Sequence, residues 1–195
     1  MEALAQGAVM PEVVRGEREV NIGVRADIVR LEILRQYGGV YFDTDFEALR
    51  SDVTPLFSGL RGFWYGDQRS GSPANGMMGC DAPGNPFVEM FLQRIAGGLR
   101  PMKDVWDVVW LSGPARLAEC LSFWVGDWSQ GQVVEVAGAG VATSHAGGSI
   151  TGFWQETIYP YHYEEGTWAT FKPGDYPRAW LAHHWEGSWH REGKE

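Results

Sequence analysis

Apolar residues Val24, Ile28, Leu31, Leu34 and Tyr37 recur at steps of four and three, the spacing of one helical face, and predict an amphipathic helix over residues 24–37. The pattern stops at Gly38 and Gly39, which can adopt the left-handed backbone that closes a helix C-terminus. Val40, Tyr41 and Phe42 follow, a β-branched and aromatic run that suits a short buried strand. The run ends abruptly in Asp43-Thr44-Asp45.

Farther on, residues 62–66 and 76–80 have strand composition, and residues 85–97 repeat Phe87, Met90, Phe91 and Ile95 on one helical side. Periodicity leaves 106–111 ambiguous. Ser112-Gly113-Pro114 reads as a helix start, with Ser112 as cap and Pro114 in the first turn of a helix over 115–124. Beyond Gly126 strands are expected at 133–136, 157–161 and 179–183, while 67–75 and 138–153 read as loops. Residues 2–8 suggest a short helix before a charged connection, and no repeat is present. Alternation of this kind predicts an α/β fold around a mixed central sheet, one domain over residues 1–195.

Charge narrows the partners. Sixteen Lys and Arg against 25 Asp and Glu give −9, and no stretch gathers the basic stripe that a phosphate backbone needs, so nucleic acid is not expected. An anionic small ligand such as a nucleotide diphosphate requires a metal ion to supply positive charge. The 10 Trp, 7 Tyr and 9 Phe serve mainly as core, with a remainder available to stack on sugar rings. Cys80 and Cys120 show no metal or disulfide spacing. The N-terminal 30 residues hold no apolar signal core and no run is long enough to span a bilayer, so a cytoplasmic protein is expected.

A carboxylate removed from water is costly without a cation or donor beside it, so the pair after the strand has a use. In an extended chain residues two apart point the same way, which sets Asp43 and Asp45 on one side, ~6–7 Å apart at Cα, with Thr44 opposite. Such a pair suits Mg²⁺ or Mn²⁺, one carboxylate binding directly and the other through water or beside a ligand hydroxyl. Its place at a strand's C-terminal end is where open α/β sheets bind ligands. Asp27 and Arg30, at i and i+3, can form an ordinary surface ion pair on the predicted helix.

The stretch RADIVRLEILRQYGGVYFDTDF, residues 25–46, resembles the core motif of the DXD-containing sugar transferases of glycosyltransferase family 32, which is related to the catalytic domains of large clostridial glucosylating toxins. Ala26, Asp27, Arg30, Leu34, Gly38, Gly39, Tyr41, Asp43 and Asp45 meet its pattern, and HHWEGSW, residues 183–189, is similar to its closing segment. The SGP at 112–114 and the stretch 76–87 are looser likenesses. The resemblance implies a GT-A-like fold and transfer of a sugar from a UDP- or GDP-linked donor to a glycan, lipid or protein hydroxyl. It implies catalytic Asp43 and Asp45, with His183 as third metal ligand beside them, although His184 next to it leaves the register open. Donor contacts fall to Asp27, Arg30, Tyr41, Asp43, Ser188 and Trp189, and Asn75 and Asp67 are candidates for donor hydroxyls. The family retains anomeric configuration; with no carboxylate nucleophile identified in the sequence, front-face attack is implied, the leaving phosphate serving as base.

About 20 residues precede the motif, where family domains carry two further strands. The N-terminal half of the nucleotide-binding sheet is therefore expected to be abbreviated, eked out by a short strand over 20–25, or completed by a partner chain or oligomer. Two other classes fit part of the pattern. A haloacid-dehalogenase-like phosphatase also places a DxD after a strand, yet Glu47 stands where it needs Thr or Val. A sugar-binding module with a decayed transferase site would use the aromatic residues alone.

Overall fold

The computed structural model describes residues 21–187 apart from 69–70, 105, 137–139, 163 and 165–168. The short helix expected over residues 2–8, and Ser188 and Trp189, lie outside the described residues. Helix α1 spans Ile22–Tyr37; the Asn21 side chain accepts from the Gly23 N–H at 2.7 Å, and Gly38, at φ 65°, donates its N–H to Leu34 O at 2.8 Å. Residues 22–25, expected as a short strand, are its first turn, because the Asn21 cap starts the helix there.

Strand β1 (Gly39–Phe42) leads through a turn to β2 (Phe46–Ala48), followed by β3 (Phe63–Asp67) and β4 (Pro73–Cys80). Helices α2 (Pro86–Gly98), α3 (Asp107–Leu111) and α4 (Pro114–Val125) come next, then β5 (Gln132–Val136), β6 (Gly140–His145), β7 (Ile150–Phe153), the short α5 (Gln155–Ile158) and β8 (Leu181–His183). Segment 138–153, expected as a loop, contributes two strands; all four residues of β7 are buried, so it lacks the polar alternation that marks a strand with one wet face. Of residues 157–161, expected as a strand, Thr157 and Ile158 instead complete α5, which Tyr159 closes by donating its N–H to Gln155 O at 2.7 Å, and 160–161 follow outside any element. Helix α4 starts from Gly113 without a side-chain cap, because the Ser112 hydroxyl is engaged elsewhere.

Six strands form one sheet in the order β1-β4-β3-β7-β6-β5, mostly antiparallel, with β3 and β7 parallel. The fold is therefore mixed α/β, as expected. Strand β1 is not an interior strand but an edge one, partly exposed, because among the described residues only β4 pairs with it. Both β1 and β3 run antiparallel to β4, and β7 runs parallel to β3. The C-terminal ends of β1, β3 and β7 therefore open on one edge of the sheet. Asp43, Asp67 and Trp154 stand there.

One face of the sheet carries the helical layer, where Val24, Leu31, Phe63, Met78, Phe87, Phe91 and Leu117 form a buried cluster. The other face packs Leu56, Trp64, Met77, Phe153, Ile158, Tyr159 and Leu181. At ~1.5–3 kcal/mol for each large side chain withdrawn from water, these two layers fix the sheet between them. Strands β2 and β8 pair apart from it as an antiparallel ribbon, with Phe46 opposite His183 and Ala48 opposite Leu181. Among the described residues no helix is long and apolar enough to cross a membrane.

Candidate metal and donor site

Asp43 does not extend β1. Its N–H donates to Gly76 O at 2.8 Å and its carbonyl accepts from Phe46 N–H at 3.3 Å, so residues 43–45 form a turn between β1 and β2. The strand spacing expected for the two carboxylates is thus replaced by a tight reversal, which still turns both inward. The ribbon then carries the chain past β8, and His184 N–H donates to Asp45 O at 2.9 Å. One ligand atom each from Asp43, Asp45 and His183 lie within 4.8 Å of one another.

Alternation along β8 separates the two histidines. His183 Nε2 lies 3.1 Å from Asp45 Oδ1 and 3.9 Å from Asp43 Oδ2. His184 faces away, with Nε2 3.0 Å from Glu47 Oε2 and Nδ1 2.8 Å from the Tyr161 hydroxyl. The structure therefore sets His183, not His184, beside the carboxylates.

Each carboxylate is held by its other oxygen. Asp43 Oδ1 accepts from the Tyr41 hydroxyl at 2.8 Å and pairs with Arg30 Nη2 at 3.0 Å, while Asp45 Oδ2 accepts from Glu186 N–H at 3.0 Å. Burial alone would raise the Asp45 carboxyl, but the His183 hydrogen bond and charge and the Glu186 N–H outweigh it and hold it down to about 2. Behind them Gly76 permits a close approach: a Cβ there would stand only 2.9 Å from Asp43 Oδ2, 3.1 Å from the Tyr159 hydroxyl and 3.4 Å from His183 Nε2. Tyr159, Phe46 and Trp185 ring His183, at centroid distances of 5.5, 4.8 and 4.4 Å.

Two carboxylate oxygens and an imidazole nitrogen, with no thiolate among them, are a donor set that could hold a divalent cation. His183 Nδ1 is buried and has no hydrogen-bond partner among the described residues. The ring is therefore oriented by its aromatic neighbours and by the carboxylate side, not by an acceptor behind it.

Asp27 and Arg30 are not a surface pair; they are 4% and 6% exposed. Arg30 Nη2 lies 3.3 Å from Asp27 Oδ1, Nη1 donates to Asn75 O at 2.5 Å, and the guanidinium sits 4.6 Å over the Tyr41 ring. Asp27 also accepts from Asn75 Nδ2 and from the Ser112 hydroxyl, each at 2.7 Å. Burial nevertheless raises the Asp27 carboxyl to about 6, against the pull of Arg30 and Ser112. Asn75 thus spends its amide on Asp27 and its carbonyl on Arg30. Asp67, at the end of β3, has a buried Oδ1 without a partner among the described residues, and burial raises it to about 6.

Spacing along the chain did not mark Ser112, Tyr159 or Phe46 for the site. Ser112 was touched only by the loose likeness of SGP at 112–114, and by spacing alone a cap residue beside a glycine and a proline has a simpler reading. Phe46 and Tyr159 look like any core aromatic.

Residues 12–57 match the family described as the glycosyltransferase sugar-binding region containing the DXD motif, a span that takes in α1, β1, Asp43, Asp45 and β2. The chain thus carries a glycosyltransferase-type DXD region over about a quarter of its 195 residues. No curated protein sequence matches. Among solved structures, one described as PaToxG glycosyltransferase is 20% identical over 54% of this chain, with a TM-score of 0.44. The match spans 36% of that chain's own length.

Proposed function

We propose that the protein is a metal-dependent, GT-A-like glycosyltransferase of the family 32 kind that moves a sugar from a nucleotide-diphosphate donor to a hydroxyl acceptor with retention. The observation that carries this reading is the meeting of Asp43, Asp45 and His183 within 4.8 Å, inside a segment matched to the DXD sugar-binding region. Asp43, Asp45 and His183 would hold a divalent ion, which would supply positive charge to the diphosphate in a chain of net charge −9.

The protein's part is orientation. Arg30 and Tyr41 fix Asp43 Oδ1, and the Glu186 N–H fixes Asp45 Oδ2, so that the remaining oxygens face His183. Asp27, locked by Ser112 and Asn75, holds the guanidinium of Arg30 where it serves Asp43. Ser188 and Trp189 follow Glu186 by a few residues and are assigned to the diphosphate, the indole N–H donating to an oxygen that gains charge as the bond to the sugar breaks. The acceptor oxygen attacks the anomeric carbon from the face the diphosphate leaves, and the departing phosphate oxygen takes its proton.

The test is calorimetric binding of UDP and GDP with and without Mn²⁺, together with hydrolysis of UDP-glucose, UDP-N-acetylglucosamine and GDP-mannose. Metal-dependent binding of one nucleotide, lost in Asp45→Ala, is expected. A wild type that ignores every sugar nucleotide, or that releases phosphate from phosphomonoesters instead, would sink the reading.

A further inference from the structure

The edge of the sheet that holds the acidic turn continues past it. From β1 across β4 and β3 to β7 is three strand spacings, roughly 14 Å. Along that edge stand Asp43, then Asp67 with its partnerless buried oxygen, then Trp154, the residue directly after β7. Around Trp154 lies an open cavity of about 450 Å³, lined by Gly71, Trp154, Gln155, Glu156 and Pro160. Its size is in the ~300–1,000 Å³ range of small-molecule sites.

The lining has a particular chemistry. Trp154 is 36% exposed, and its indole Nε1 donates to Thr143 Oγ1 at 3.0 Å, so the ring is pinned in place before any ligand arrives. A fixed aromatic face offers an apolar plane to the C–H side of a pyranose. Beside it, Glu156 gives one oxygen to Arg178 at 3.1 Å and keeps the other for a hydroxyl, and the Gln155 amide can both donate and accept. A carboxylate at the rim of a chain of net charge −9 disfavours anionic ligands.

The cavity is also tied to the acidic turn through the backbone. Helix α5 lines it with Gln155 and Glu156 and then delivers Tyr159, whose hydroxyl accepts from Met77 N–H at 3.0 Å and lies close against Gly76, as Asp43 does.

We infer that this cavity is a subsite for a neutral oligosaccharide, which stacks a ring on Trp154 and runs along the sheet edge past Asp67 toward Asp43. Calling that oligosaccharide the acceptor rests on the transferase reading above; its binding does not.

The experiment titrates the full chain, in excess chelator, with maltopentaose, cellopentaose, mannopentaose and xylopentaose, following tryptophan fluorescence and calorimetry. At least one is expected to bind without metal, and both Trp154→Ala and the exposed substitution Glu156→Gln are expected to weaken it about tenfold or more. Trp154→Phe, which keeps an aromatic plane, should recover part of the loss. Metal-dependent hydrolysis of sugar nucleotides in the absence of acceptor should be unchanged in all three variants. Failure of every glycan to bind, or binding indifferent to both Trp154→Ala and Glu156→Gln, would overturn the subsite. Glycan binding in a protein that hydrolyses no sugar nucleotide would overturn the transferase reading and leave the subsite standing.

Discussion

Two walls enclose the acidic turn, and they are held by different forces. The α1–β1 wall is charged: Asp27 and Arg30 are almost wholly buried, and Asn75 and Ser112 complete their hydrogen bonds. The β8 wall is a ribbon of three residue pairs whose site-facing side is packed with rings, Phe46 and Trp185 against His183 and Tyr159 against Trp185. Buried charge is stable only when every partner is present, whereas ring packing tolerates change by degrees. The first wall therefore sets Arg30 and Asp43 whether or not a cation is bound, and the second supplies His183 with more freedom to adjust.

Removing a partner from each wall separates the two. Arg30→Ala leaves Asp27 buried and uncompensated, and urea unfolding should show a loss of about 3–5 kcal/mol. A loss below 1 kcal/mol would mean that the charged wall is not what holds α1 to the sheet. Phe46→Ala, in the half-buried ring packing, should cost less, about 2 kcal/mol, yet weaken Mn²⁺ binding because His183 loses its flank; calorimetry with Mn²⁺ is the readout.

Ser112→Ala probes the charged wall more finely. The hydroxyl bond to the Asp27 carboxylate is worth ~1.5–3 kcal/mol. Its loss should also move the Asp27 titration, followed by carboxyl NMR, to higher pH than about 6, since the Ser112 hydrogen bond is one of the forces that lower it. A titration that falls or stays still contradicts the assigned geometry.

The smallest effect concerns Asp67, outside both walls. Its carboxyl is raised from 3.8 to about 6, so the fold favours the protonated form. That contribution to stability is fully present below pH 4 and is lost as pH rises through about 6. After discounting for partial solvent access, Asp67→Asn should gain about 1–2 kcal/mol at pH 7 relative to wild type. Asp27, whose carboxyl is raised in the same sense, contributes to the slope that remains between pH 4 and 6 in thermal melts.

Much of the charged wall was legible in the chain. The four-and-three repeat from Val24, the closing glycines and the aromatic strand after them are local patterns, and the helix and strand follow them closely. The aromatic wall was legible only in pieces. His183 was placed by resemblance to a closing motif, but its choice over His184 needed the β2–β8 register, with Phe46 opposite His183. Strand β7 was missed because a strand buried on both faces shows no alternation, and the 157–161 strand was expected wrongly because Thr157 and Ile158, β-branched residues, sit in a single helical turn.

The sequence by itself determined the acidic pair, the helix that presents Asp27 and Arg30 on one side, and the net charge of −9. Those properties depend on spacing over a few residues and on composition. Tertiary structure alone decided that Ser112 and Asn75 meet Asp27, that β1 pairs with β4 and with no other strand among the described residues, and that His183 arrives beside Asp45 from 138 positions away. Contacts between distant residues are selected by which faces the sheet and ribbon bury together, and no local period records that choice.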